Sequence, residues 1–93
     1  VKEYHSRAMS DLAEHELNVA NYYFEKQSYH SAIGRYLYLL KNYPGISRTA
    51  NVAELLIRSY RLNRQPDLAN EMQRVLDSLR ERHLLAQHNS KEE

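Results

Sequence analysis

The chain has no cysteine and no tryptophan, and only two glycines, two prolines and one phenylalanine in 93 residues. Without cysteine there is no disulfide framework and no thiolate chemistry, although the compartment stays open because reducing and oxidising locations both hold cysteine-free domains. So few glycines and prolines argue against a sheet-rich fold, which needs many tight turns. No apolar run is long enough for a transmembrane helix, and no signal-like stretch opens the chain. What is present is 42% hydrophobic and 27% charged residues, a globular rather than a disordered composition, within the size of one small domain. The chain begins at Val1 rather than Met and is expected to be a fragment or processed piece of something longer.

The most informative pattern is a repeated triplet. Tyr23, Ala32 and Leu39 recur as Tyr60, Ala69 and Leu76, with the same internal spacings and a constant offset of 37. Repeats of this size belong to stacked helical arrays, in which one unit cannot bury its apolar face without a neighbour. The expectation is an all-α fold of helical hairpins stacked as a short right-handed solenoid. Around the first triplet, Glu16, Val19, Ala20, Tyr23, Ala32, Tyr36 and Pro44 are similar to the 34-residue tetratricopeptide pattern, with Glu16 in place of the usual aromatic and Ala20 in place of the usual glycine.

Four helices are expected. The first runs from about Lys2 to Lys26, with Leu12, Glu16, Val19, Ala20 and Tyr23 on one continuous face and an optional break at Ser10-Asp11. Its start, residues 1–11, reads as the end of an upstream repeat helix. Ser28 caps the second helix, Tyr29 to Asn42, with Ala32, Ile33, Tyr36, Leu39 and Leu40 inward. Pro44 and Gly45 end it. Ser47 or Thr49 caps a third helix reaching Leu62, with Val52, Ala53, Leu56, Ile57 and Tyr60 inward. Pro66 opens the fourth, where its missing N–H costs nothing. Leu68, Met72, Val75, Leu76 and Leu79 form its inward stripe, and the helix is carried toward His83 or Ala86. The implied division is residues 12–44 and 47–86 as two repeats, with 87–93 a flexible tail. Repeat packing is assigned to Ala20, Tyr23, Ala32, Tyr36, Leu39, Tyr60, Ala69 and Leu76.

Charge is uneven. Residues 1–33 carry three cationic and five anionic side chains, residues 65–93 four and six, but residues 34–64 carry six cations against Glu54 alone. This basic middle suits an acidic partner, or is simply a solvated charged face. Arg58 and Arg61 lie one turn apart on the third helix, followed by Arg64. Acidic flanks and a net charge of +1 make phosphate tracking weak, so a carboxylate-bearing protein is preferred to nucleic acid. Eight tyrosines are the other excess. Tyr23, Tyr36 and Tyr60 fall at core positions, whereas Tyr22, Phe24, Tyr29, Tyr38 and Tyr43 cannot all be buried by helices that bury another face, so some are expected at an interface. Asp11 and His15 are spaced to share a zinc ion, but no HExxH or Cys/His cluster accompanies them, and no phosphate loop, nucleophile elbow or paired carboxylates occur. The chain is read as non-enzymatic, with no metal and no cofactor.

The run from Leu12 through Glu16, Val19, Ala20, Tyr22 and Tyr23 to Lys26, then Tyr29, Ala32 and Arg35, then Lys41-Asn42-Tyr43-Pro44, and finally Ser59-Tyr60-Arg61-Leu62 with Asp67-Leu68-Ala69, resembles the C-terminal repeats of the outer-membrane protein assembly factor BamD (ComL) family. The resemblance covers about two thirds of the chain, from Leu12 to Leu76. It implies a tetratricopeptide scaffold at the periplasmic face of the bacterial outer membrane, lipid-anchored through an N-terminal cysteine absent from these residues. It also implies docking on the membrane-proximal POTRA domain of the barrel subunit BamA, contact with accessory lipoproteins of that machinery, and unfolded outer-membrane protein segments as further candidates. Arg35 matches the family's arginine expected to meet an acidic POTRA side chain, and Lys26 falls where the family usually has Arg. Gln27 and Gly34 depart from common family choices, and Gly34 inside a helix costs about 1 kcal/mol relative to Ala unless something packs closely there. Lys26, Tyr29, Arg35, Tyr38, Arg58 and Arg61 are the expected partner-binding residues. The alternative is a tetratricopeptide module whose concave face (Asn21, Phe24, Asn51, Glu54, Arg58, Arg61) captures an acidic extended or C-terminal peptide.

Overall fold

The computed structural model describes the backbone of residues 2–92 and the side chains of residues 10–85 apart from Thr49. Five helices follow in order: α1 (Lys2–Glu25), α2 (Tyr29–Asn42), α3 (Pro44–Thr49), α4 (Val52–Leu62) and α5 (Pro66–Glu92). Among the described residues there is no strand. The fold is all-α, built of two helical hairpins, α1–α2 and α4–α5, joined by the short α3, with α4 packed on α2.

The two hairpin turns repeat bond for bond at the 37-residue offset. In the first, Gln27 N–H donates to Phe24 C=O at 3.0 Å and Ser28 N–H to Tyr23 C=O at 2.9 Å. In the second, Arg64 N–H donates to Arg61 C=O at 3.2 Å and Gln65 N–H to Tyr60 C=O at 2.8 Å. These are the two bonds of a Schellman termination, which needs a left-handed residue just past the helix. Gln27 (φ 64°) and Arg64 (φ 61°) supply it, although neither is glycine. Each turn then feeds the next helix through the same backbone bond, Ala32 N–H to Ser28 C=O and Ala69 N–H to Gln65 C=O, both 3.1 Å. The Ser28 hydroxyl makes no capping bond to α2, so this main-chain geometry sets the start of the helix.

Small residues let the helices approach. Ala20, Ala32 and Ala69 are fully buried, together with Tyr36, Leu39, Val52 and Leu56, and Ala13, Ile33, Ile57 and Tyr60 complete the core. Tyr23, Leu40, Met72 and Leu76 are partly buried against it. The Tyr36 hydroxyl, carried into this core, donates to Asn21 Oδ1 at 2.6 Å. Burial, reinforced by the charge of Glu25, pushes the Tyr36 phenol up to about 12.

Several expectations need correction. α2 ends at Asn42, just before Pro44, as expected, but Pro44 is also the first residue of an unexpected α3, where a proline's missing N–H is harmless. Gly45 lies inside α3 rather than in a turn, and the left-handed residue of this connection is Asn51 (φ 55°), between α3 and α4, where one third helix was expected. Ser47 caps nothing, since it lies buried within α3 with its hydroxyl unpaired. α1 continues through Ser10-Asp11 without a break, and its buried residue there is Ala13 rather than the exposed Leu12. On α5, Leu68, Val75 and Leu79 of the expected inward stripe are exposed. Periodicity marks a face without fixing its orientation, and the residues α5 turns toward the core are Ala69, Met72 and Leu76. α5 also stays helical to Glu92, beyond Ala86; Glu93 lies outside the described residues.

Candidate partner-docking groove

α1 and α2 run antiparallel, and on the face of α2 turned away from its core residues they leave an open groove of about 470 Å³. α2 contributes His30, Ser31, Gly34, Arg35 and Tyr38, residues spaced three and four apart, which keeps them on one side of a helix. α1 contributes Glu16 and Tyr23 across from them. Gly34 forms part of the floor, and a Cβ built there would meet nothing within 4 Å. The helix cost of this glycine is therefore not offset by close packing among the described residues.

Arg35 dominates the electrostatics. Its Nη1 donates to Glu16 Oε2 at 2.9 Å, and its guanidinium lies 5.9 Å from the centroid of the Tyr23 ring, in cation–π range. Glu16, through this bond first and its charge second, raises the Arg35 pKa above its already high ordinary value, and burial opposes the shift. The cation is permanent at any physiological pH. Both partners are partly open to solvent, with 40% of the Arg35 side chain and 24% of that of Glu16 exposed. Beyond Tyr38, which is exposed, the ring of Tyr43 lies 6.1 Å away. Burial, with help from Tyr38, pushes the Tyr43 phenol up.

Of the six expected partner-binding residues, Arg35 and Tyr38 line this groove. Lys26 is exposed at the hairpin turn, 5.7 Å above the Tyr22 ring. Tyr29 is half-buried, edge-on to Phe24 at 5.6 Å. Arg58 and Arg61 are exposed on α4, away from the groove-lining set. On the alternative concave face, Asn21 already accepts from Tyr36, and Glu54 pairs with Arg80. Sequence reasoning missed His30 and Ser31 as groove residues and Glu16 as the partner of Arg35. The Arg35–Glu16 pairing depends on the register of the two antiparallel helices, which the spacing along the chain does not state. Asp11 and His15 are both exposed, and among the described residues no group of three or more His, Cys, Asp or Glu could hold a metal ion. No described helix is long and apolar enough to cross a membrane.

A family model described as "YfiO: Outer membrane lipoprotein" matches residues 3–88. The chain belongs to this family of BamD-type outer membrane lipoproteins. No curated protein and no solved structure matches the chain. Family membership associates the protein with the outer membrane and with assembly there.

Proposed function

We propose that this chain is a non-catalytic scaffold of the outer-membrane β-barrel assembly machinery, that it works at the periplasmic face, and that it docks through the α1–α2 groove on an acidic surface of the membrane-proximal POTRA domain of BamA. In this reading the two hairpins are tetratricopeptide repeats, residues 12–44 and 47–86, whose task is to hold side chains rigidly. The observation that carries the reading is the placement of Arg35 over the Tyr23 ring in an open groove, in a chain of this family. A guanidinium offers a planar pair of donors to a carboxylate, and a flanking ring supports it from one side. Tyr38 adds a large apolar ring with a polar tip at the rim, the type of residue that anchors interfaces. Lys26, Tyr29, Arg58 and Arg61 lie outside the groove and would serve wider contacts, with accessory lipoproteins or with unfolded outer-membrane protein segments. Lipid anchoring belongs, in this proposal, to a cysteine outside these residues.

The test is the affinity of the chain for the POTRA domain with and without Arg35→Glu. Reversal of this charge against an acidic surface is expected to weaken binding by at least about tenfold. Unchanged affinity would remove Arg35, and with it the groove, from the interface.

A further inference from the structure

In the free chain the guanidinium that would receive a partner's carboxylate already holds one. Arg35 Nη1 lies 2.9 Å from Glu16 Oε2, and both side chains remain partly solvated. The hairpin turn does not require such a pair. At the 37-residue offset, the positions of Glu16 and Arg35 in the second hairpin are occupied by Ala53 and Met72, and Met72 is packed against the core cluster. The same turn geometry thus forms without an ion pair at these positions. A partly exposed ion pair contributes little net stability, so one carboxylate can exchange for another at small cost. Room for the exchange lies next to it, because the floor at Gly34 is open where a side chain would otherwise stand.

Resting on the docking reading, we infer that Glu16 is an internal competitor for the partner's acidic side chain. It keeps the Arg35 guanidinium over the Tyr23 ring and facing the groove, and it is displaced when a partner carboxylate enters beside Gly34. Orientation is gained at the expense of affinity: the free chain presents a positioned arginine, but every docking event must first break the internal bond. Glu16 therefore limits how tightly acidic surfaces are held. Only partners that bring further contacts, such as those to Tyr38, hold on.

The experiment is a calorimetric titration of the membrane-proximal POTRA domain into the chain and four variants: Glu16→Gln, Arg35→Gln, the double variant, and Glu14→Gln. The last neutralises an exposed carboxylate on the same helix and so reports the general effect of charge. Circular dichroism and urea midpoints establish that each variant is folded. Glu16→Gln is expected to bind roughly two- to fivefold tighter, the range that corresponds to losing an exposed ion pair as competitor. Glu14→Gln should stay within about 1.5-fold of the parent, and Glu16→Gln should add nothing in the Arg35→Gln background. If Arg35→Gln weakens binding while Glu16→Gln leaves it unchanged or weaker, the competitor role is overturned and docking stands. A gain that persists without Arg35, or that Glu14→Gln reproduces, also overturns it. If Arg35→Gln binds as the parent does, the docking reading fails and the competitor role fails with it.

Discussion

The two hairpins share a turn, a triplet and a backbone hydrogen-bond pattern, yet they end up in different surroundings. Leu39 and Leu76 hold equivalent positions, but Leu39 is fully buried and Leu76 only partly so. The reason is a neighbour: α2 is covered on one side by α1 and on another by α4, whereas α5 packs on α4. The free faces differ as well. α2 presents Gly34, Arg35 and Tyr38, and the same positions on α5 are Glu71, Met72 and Val75. One backbone plan therefore yields a cationic, aromatic groove in the first hairpin, whereas at the same positions of the second Met72 packs on the core and Val75 stays exposed beside Glu71. The shared residues specify the hairpin, and the unshared ones specify what it meets.

Truncation of the paired leucines is the most severe way to break this comparison. Leu39→Ala should destabilise the chain by about 2–5 kcal/mol, the range for a buried leucine, and Leu76→Ala by less than about half of that. Urea unfolding of the two variants decides it, and equal losses would mean that the hairpins share one environment. High pH separates the hairpins next, because Gln73 stands where Tyr36 does. The Tyr36 proton is held more tightly in the folded state, with its pKa raised from 10.0 to about 12. Its stabilising contribution is thus complete below pH 10 and is lost as pH rises through 12, on the order of 2 kcal/mol in all. Titration of the unfolding free energy between pH 9 and pH 12 should show a steeper fall in the parent than in Tyr36→Phe. At pH 7, Tyr36→Phe should itself cost about 1 kcal/mol through the lost bond to Asn21.

The smallest expected effects concern what the hairpins have in common. Gln27→Gly and Arg64→Gly each relieve a left-handed non-glycine residue and should stabilise the chain by up to about 1 kcal/mol. Similar gains at both turns would support the shared Schellman geometry. A gain at one turn only would show that the turns are not equivalent.

Much of this architecture was legible in the sequence, and the rest was hidden for definite reasons. The end of α2 follows from Pro44 and the first residue of α5 from Pro66, whereas α2 starts where Ser28 suggested but through main-chain geometry rather than a side-chain cap. Pro44 is a signal with two meanings, since a proline ends one helix and opens the next equally well; α3 was missed on that account. The exposure of Leu68, Val75 and Leu79 was missed because a 3.6-residue period identifies a face without saying whether anything covers it. Arg35 was legible as a candidate, but its attachment to Glu16 depends on the register between two antiparallel helices, which no local pattern states. Gly34 stood out as a departure, and only the geometry of the hairpin shows that the space above it is open.

The most direct test of the claim that the first hairpin carries the docking surface is a residue-resolved map of the contact. Amide resonances of the isotopically labelled chain would be followed while the unlabelled POTRA domain is titrated in. The account predicts that the perturbed amides cluster along the groove, at residues 16–23 of α1 and 30–38 of α2, and leave the equivalent stretch of the second hairpin, residues 67–75, unaffected. Perturbations centred on 67–75 instead, or spread evenly over both hairpins, would contradict it.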